Sequence, residues 1–142
     1  RRVELRARNR GRDGRGTAWE AAVSGIDLAI AASIVGIGGA LGAMGRHAVG
    51  LRIDGRRSIV VVNALGSLAL GILVAIPIDP SLALFAAIGF CGAFTTFSSV
   101  MVETVSTAVD GDTGPAALFA VETLVTALFA FLLGAVAVGA VT

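Results

Sequence analysis

The sequence predicts an all-α membrane protein with four transmembrane helices. Hydrophobic residues make up 56% of the 142 residues and charged residues only 15%, which is too apolar for a soluble domain of this length. The apolar residues fall into four segments separated by short polar turns, at about 26–49, 58–78, 82–109 and 115–141. Each segment is close to or above the roughly 20 residues that a helix needs to cross a bilayer. We therefore expect one four-span domain, residues 26–142, in the cell (plasma) membrane.

The first 25 residues differ in composition from the rest of the chain. Seven of the eleven arginines lie within residues 1–16, and the chain contains no lysine. A segment with so little to bury is expected to be disordered. No aromatic residue is interleaved with these arginines, so contact with anionic lipid headgroups is favoured over nucleic-acid binding.

The arginines near the first span leave the orientation of the chain undecided. Positive charge normally marks the cytoplasmic end of a spanning helix. Four arginines lie on each side of this span: Arg8, Arg10, Arg12 and Arg15 before it, and Arg46, Arg52, Arg56 and Arg57 after it. We expect either insertion in both orientations or an orientation set by the remaining charge of the tail.

Composition also argues against an enzyme. Cys91 is the only cysteine and His47 the only histidine, so a disulfide within the chain and a paired Cys/His metal site are excluded. The sequence has no glycine-rich phosphate loop followed by lysine, and no serine with a plausible histidine and acid partner. Transport or assembly in the membrane is the remaining class of function.

The third apolar segment contains a run that an ordinary spanning helix would not need, Gly89 to Ser99 (GFCGAFTTFSS). Two glycines within four residues, followed by adjacent threonines and serines, weaken a helix. Backbone groups released by such a break cannot face lipid, because nothing there satisfies them. We therefore predict a broken third helix whose break faces a cavity or another subunit.

Several polar residues lie inside or at the ends of the spans. Asn63 either makes an interhelical hydrogen bond or serves transport, and Glu103 and Glu122 belong either to a buried polar seam or to an ion path. Arg46 and His47 end the first span, where they either reach the interface or form an anion-attracting vestibule. The residues alone leave these alternatives open.

Small residues recur at the spacing that lets helices approach closely. They include Gly38, Gly39, Gly42, Ala43 and Gly45 on the first span and Gly66, Gly71, Gly134 and Gly139 elsewhere. Such pairs pack helices tightly in membranes. Packing within one bundle is favoured over a dedicated dimer face, although four short spans can hardly enclose a pore without oligomerising.

Three motifs together resemble the Fluc (CrcB-type) fluoride channels. The run Gly38 to His47 is similar to that family's GGxxGAxxRY signature, Asn63 to Gly71 to its NxxGS motif, and Gly89 to Ser99 to its GFCGxxTTFS motif. The motifs occur in order on the expected spans, and the resemblance covers residues from about 34 to 141. The third motif is highly specific.

The resemblance implies an antiparallel, dual-topology dimer that exports fluoride passively and so lowers its cytoplasmic concentration. Two fluoride pores would lie at the dimer interface, with one structural sodium ion (Na+) at the dimer centre. By this resemblance, sodium would bind the backbone carbonyls of Gly92 and Thr95. The fluoride pore would be lined by Asn63, Phe97, Thr96 and Ser98. A vestibule or polar track would include Arg46, Glu103 and Thr123.

This chain departs from the family pattern at three positions. Val100 stands where the family usually has a second phenylalanine, His47 replaces the tyrosine of the first motif, and Phe119 stands where a tyrosine is often found. An incomplete aromatic track is compatible with a heterodimer in which a paralogous subunit completes the pore, so both a homodimer and a heterodimer remain open. The alternatives to a fluoride channel are a small dual-topology drug or cation exporter and a non-conducting partner subunit.

Overall fold

Residues 27–140, which the computed structural model describes, form five helices that make four membrane-length spans. The predictions for the N-terminal tail lie outside the described residues. The helices are α1 (Leu28–Gly50), α2 (Arg56–Ala75), α3 (the consecutive segments Pro80–Ala83, Leu84–Cys91 and Gly92–Phe94), α4 (Phe97–Val109) and α5 (Thr113–Gly139). Four stretches are long and apolar enough to span a membrane, with α3 and α4 together forming the third, Pro80–Val109. The all-α, four-span prediction is confirmed.

Local chemistry explains where the observed helices begin and end. α2 stops at Ala75 rather than at residue 78, because Ile76 precedes a proline and is extended, with φ −106° and ψ 144°. α3 begins at Pro80, and the Asp79 side chain accepts a hydrogen bond of 2.8 Å from the backbone N–H of Ser81. α5 begins two residues before Pro115, which therefore lies in the first turn, where helix N–H groups lack intrahelical partners.

The interruption of the third span lies at two threonines near its middle. Thr95 (ψ 162°) and Thr96 (φ −149°, ψ 110°) have extended backbones between α3 and α4. Gly92, in contrast, has helical dihedral angles, with φ −61° and ψ −36°. The preceding segment Leu84–Cys91 is π-helical, a distortion often found at functional sites. The extended backbone therefore follows the glycines instead of coinciding with them.

Most of the predicted small residues bring helices of the same chain together. α1 packs against α3, and α2 packs against α5. A Cβ atom on Gly38 or Gly42 would collide with the backbone oxygens of Phe85 and Phe90. Likewise, a Cβ atom on Gly71 would collide with the backbone oxygen of Phe131. Close packing within one bundle, the favoured interpretation, is confirmed at these contacts.

We expect Gly71→Ala to destabilise the protein by about 1–3 kcal/mol, because overpacking forces helices apart. The added methyl group would meet the α5 backbone, which cannot rotate away as a side chain can. Gly36→Ala is the matched control, since its Cβ would meet nothing within 4 Å. Thermal unfolding in detergent should show a lower Tm for Gly71→Ala only. Equal Tm values for the two variants would contradict this packing arrangement.

Candidate functional site

A cavity of about 500 Å³, here called the central groove, lies beside the interruption of the third span. Residues from α2, α3, α4 and α5 line it, and most of them are apolar. Its polar lining consists of an amide and four hydroxyls: Asn63, Ser67, Thr95, Thr96 and Thr123. An apolar cavity with a few polar groups is typical of a ligand site. No carboxylate and no cationic side chain lines the groove among the described residues.

Asn63 joins α2 to the extended backbone of Thr96. Its Oδ1 accepts a hydrogen bond from the Thr96 N–H at 2.8 Å, and its Nδ2 donates to the Thr96 carbonyl at 3.2 Å. The interhelical hydrogen bond considered from the sequence is therefore present. A side-chain amide carries two N–H donors, so one donor of Asn63 is left for a ligand in the groove. Structure and ligand binding are thus compatible roles for the same residue.

Most hydroxyl groups around the groove already donate their hydrogen bonds to other groups of the protein. Thr95 donates to the Cys91 carbonyl at 3.0 Å, Thr123 to the Phe119 carbonyl at 2.8 Å, and Thr96 to the Ser99 hydroxyl at 2.8 Å. Their oxygens retain acceptor capacity only. Hydroxyl groups whose hydrogens are already donated do not favour the binding of an anion.

Ser67 is the exception and was missing from the predicted site residues. It is half-buried, lines the central groove one helical turn after Asn63, and makes no side-chain hydrogen bond with another described residue. Its hydroxyl can therefore donate to a ligand. The i, i+4 spacing from Asn63 on a helix was the available sequence signal.

Phe97 and Val100 differ sharply in exposure although both line the groove. Phe97 is 74% exposed, whereas Val100 is only 6% exposed. A phenyl ring carries partial positive charge at its edge. An exposed ring at mid-span requires a lipid or protein contact, and its edge can approach an anion. Val100 offers only packing at the position where the family usually has a second ring.

The interruption also releases backbone carbonyls. The N–H groups that would normally reach the Gly92 carbonyl are used elsewhere, because Thr95 donates to Cys91 and Thr96 donates to Asn63. Nothing lies within 4 Å of a Cβ placed on Gly92. The Thr95 carbonyl is 3.5 Å from Nη1 of Arg46, the long limit of a hydrogen bond. Neutral carbonyl oxygens suit a hard cation such as sodium, so this part of the chain fits such an ion.

No group of three or more His, Cys, Asp or Glu side chains in residues 27–140 could hold a metal ion. The ligands that this region offers a cation are neutral oxygens, namely the released backbone carbonyls and the hydroxyl oxygens that can still accept. Arg46 would oppose it electrostatically unless the guanidinium group moved away from the Thr95 carbonyl.

Arg56, which precedes the predicted second segment at 58–78, is the first residue of α2. It makes several polar contacts at the end of the bundle where α2 and α5 begin, here called the loop end. Its Nε lies 2.6 Å from Oε1 of Glu103, and its Nη2 donates to the hydroxyl of Thr107. Its Cζ lies 5.6 Å from the centroid of the Phe119 ring. Glu103 therefore faces Arg56 instead of the central groove.

The structure brings together six of the nine predicted site residues. Those lining the central groove are Asn63, Gly92, Thr95, Thr96, Phe97 and Thr123. Ser98, Arg46 and Glu103 do not line it. Ser98 lies on the exposed side of the first turn of α4, with its hydroxyl 3.3 Å from that of Thr96. The two charged residues lie closer to the loop end of the bundle.

Comparison with known proteins identifies the family. The family described as CrcB-like protein, Camphor Resistance (CrcB), matches residues 33–135. Fluoride-specific ion channel FluC 2 of Natronomonas pharaonis is 49% identical over 113 residues, covering 78% of this chain and 96% of that protein. FluC 2 of Haloarcula marismortui is 45% identical over 100 residues, covering 68% and 84%. FluC of a Thermus thermophilus strain is 37% identical over 111 residues, covering 71% and 89%.

These relatives are named as ion channels and not as enzymes. Four spans and this family match describe a multi-pass protein of the cell membrane. The match includes the central groove, the interruption at Thr95 and Thr96, and most of α5. The chain belongs to the CrcB-like family.

Proposed function

We propose that this chain forms a fluoride-selective channel that lets fluoride leave the cytoplasm passively. The relatives reported above carry the name fluoride-specific ion channel. The observation that carries the proposal is the central groove, in which an Asn63 donor, a Ser67 hydroxyl and the exposed Phe97 ring meet at mid-span. The test is fluoride and chloride efflux from liposomes that contain the purified protein.

The chemistry of the groove suits a small, strongly hydrated anion. A selective pore must replace the hydration of the ion with donors of its own. Asn63, Ser67 and the edge of Phe97 provide neutral or weakly positive partners. A full positive charge in the groove would hold the ion too tightly for conduction, which requires binding that is adequate but weak enough for release.

We further propose that two subunits associate in opposite orientations. The arginine counts on the two sides of the first span are equal. In addition, the extended residues Thr95 and Thr96 lie near the middle of the 30-residue third span, where a two-fold axis in the membrane plane would place two such segments next to each other. The 74% exposure of Phe97 is consistent with a surface that a second subunit covers. Each groove would then become a pore wall.

A structural sodium ion at the centre of this dimer is part of the same proposal. The carbonyls of Gly92 and Thr95 are the candidate ligands in each subunit, since the interruption leaves them without their usual helical partners. Two subunits would contribute four oxygens. The ion would offset the partial negative charge of the gathered carbonyls and hold the two third spans together.

The partner is either a second copy of this chain or a paralogous subunit. Val100 stands where the family usually has the second ring of its aromatic track, and the Natronomonas and Haloarcula relatives are both named FluC 2. Both observations favour a test for a heterodimer. Full fluoride flux from liposomes containing only this chain would exclude an obligate pair.

The first span lacks the carboxylate that a drug or cation exporter with dual topology is expected to have there. Such a protein needs a membrane-embedded carboxylate that binds the cation, in the first span by analogy with small four-span exporters. Residues 29–44 contain none, and Asp27 only caps the start of α1 through a 2.9 Å bond to the Ala29 N–H. Failure to transport cationic dyes in the same liposomes would exclude this alternative.

Replacing Ser67 with alanine is expected to lower the fluoride conductance about fivefold, the worth of one net hydrogen bond. The hydroxyl lines the groove without an internal partner, so its loss removes a donor without leaving another group unpaired. Single-channel recording in planar bilayers measures the effect. The control is Ser33→Ala on α1, whose hydroxyl donates to the Ala29 carbonyl. Equal conductance in both variants would contradict a role for Ser67 in the pore.

A further inference from the structure

A second cavity, here called the loop-end groove, lies at the end of the bundle where α2 and α5 begin. It also has a volume of about 500 Å³. Its lining includes two arginines and one glutamate, Arg56, Arg57 and Glu122, beside the ring of Phe119. The remaining lining is largely apolar. None of these residues was among the predicted site residues, and none has a role in the channel function proposed above.

Three helices lead from the central groove to Arg56. On α2, Asn63 follows Arg56 by seven residues, which is two helical turns on one face, or about 10 Å. On α4, Val100 lines the central groove, while Glu103, one turn later, contacts Arg56. On α5, Phe119 lies one turn before Thr123 and beneath the guanidinium group. Arg56 therefore contacts α4 and α5 about one helical turn from residues of those helices that line the central groove.

The contacts of Arg56 hold its guanidinium group in place but do not use all of its donors. A guanidinium group has five N–H donors. One is directed to Glu103 and one to Thr107, and Cζ lies over the Phe119 ring. The side chain remains 41% exposed. The remaining donors and the exposed surface leave room for an anion.

We propose that Arg56 captures the anion at the loop end of the conduction path and that Glu103 limits how tightly Arg56 holds it. This inference rests on the proposed fluoride channel function. An arginine without a counter-charge would retain a strongly hydrated anion by charge-assisted hydrogen bonds. The carboxylate of Glu103, 2.6 Å away, competes for the same guanidinium group. Arg56 therefore binds the anion, and Glu103 weakens this binding enough for the anion to be released.

The competing explanation is that Arg56 only neutralises a carboxylate inside a spanning helix. A charge within the membrane is costly unless it is paired. In that case, loss of either partner would leave the other unpaired, and both changes would impair the protein in the same way. Capture predicts opposite effects on anion binding instead, so the two explanations can be separated.

The test is unitary fluoride conductance in planar bilayers as a function of fluoride concentration, for Arg56→Gln, Glu103→Gln and Arg52→Gln. Arg52 is an exposed arginine of the loop between α1 and α2, at the same end of the bundle, and controls for general surface charge. Arg56→Gln should raise the half-saturating fluoride concentration about fivefold, the approximate effect of one nearby charge in water. Glu103→Gln should lower it, together with the maximal conductance.

Each outcome supports or overturns the inference. Two results overturn the inference and leave the channel function intact. One is an equal half-saturating concentration in Arg56→Gln and Arg52→Gln. The other is a shift in the same direction in Arg56→Gln and Glu103→Gln. If Arg56→Gln does not fold, Arg56→Lys replaces it, since lysine keeps the charge and loses the planar fork. A smaller upward shift supports capture, and an unchanged value overturns it. Absence of fluoride current both from the unchanged protein alone and from the unchanged protein combined with a paralogous subunit overturns both proposals.

Discussion

Asn63→Asp is expected to lower fluoride conductance by at least about 100-fold, because a unit charge about 4 Å from the ion costs about 4 kcal/mol in partly screened surroundings. The carboxylate would replace the one amide N–H that is left for a ligand. It would keep the acceptor for the Thr96 N–H, whose present hydrogen bond measures 2.8 Å. Single-channel recording in planar bilayers checks the prediction.

Comparison with Asn63→Ala separates the pore role of Asn63 from its structural role. Alanine removes both hydrogen bonds to Thr96, which is only 6% exposed, whereas aspartate keeps the bond from the Thr96 N–H and sets a carboxylate oxygen against the Thr96 carbonyl. If Asn63 serves the structure alone, both variants should lower the Tm while the channels that remain folded keep the unitary conductance of the unchanged protein. We expect the unitary conductance to fall in both variants, and further in the aspartate variant. Thermal unfolding of both variants in detergent reports the structural loss independently.

Phe97→Leu is expected to reduce fluoride conductance about tenfold, if the contact of the ring edge with the anion is as strong as the better aromatic pairs. Leucine keeps the apolar character of an exposed mid-span position but has no ring and therefore no positive edge. Stability should change little, since Phe97 is 74% exposed in the subunit. Fluoride efflux from liposomes and the Tm in detergent provide the two readouts.

Phe129→Leu provides the matched control for Phe97. Phe129 is a similarly exposed ring, at 67%, on α5, and it lines neither groove. Its replacement should leave conductance unchanged. Equal loss in the two variants would mean that exposed rings act through lipid or subunit contacts, and it would refute the assignment of Phe97 to the pore.

Hydrophobicity alone predicts most of this fold. Four long apolar segments can cross a bilayer only as helices, because backbone groups in lipid must be paired within the segment. The glycines predict close packing, and contacts such as Gly71 with the Phe131 backbone agree. The position of the interruption was harder to predict. Helix propensity favours the glycines as the weak point, yet Gly89 and Gly92 are helical, and the backbone is extended at Thr95 and Thr96, where Asn63 pairs with Thr96.

The sequence indicates which residues lie near the interruption of the third span, but it does not indicate which side chains pair with one another. Asn63 and the residues after Gly92 lie together as expected. The hydrogen bond that uses the Thr123 hydroxyl is not readable from the sequence, nor is the pairing of Glu103 with Arg56. These depend on how helices distant in sequence are rotated against each other, which side-chain packing sets.

The ratio of fluoride to chloride efflux from liposomes that contain the purified protein tests the central claim most directly. Fluoride should leave passively in the presence of sodium, chloride should stay inside, and Asn63→Asp should abolish the fluoride signal. If this chain alone gives no efflux, addition of a paralogous subunit should restore it. Chloride efflux at the same rate as fluoride efflux, or no fluoride efflux from either preparation, would contradict the account.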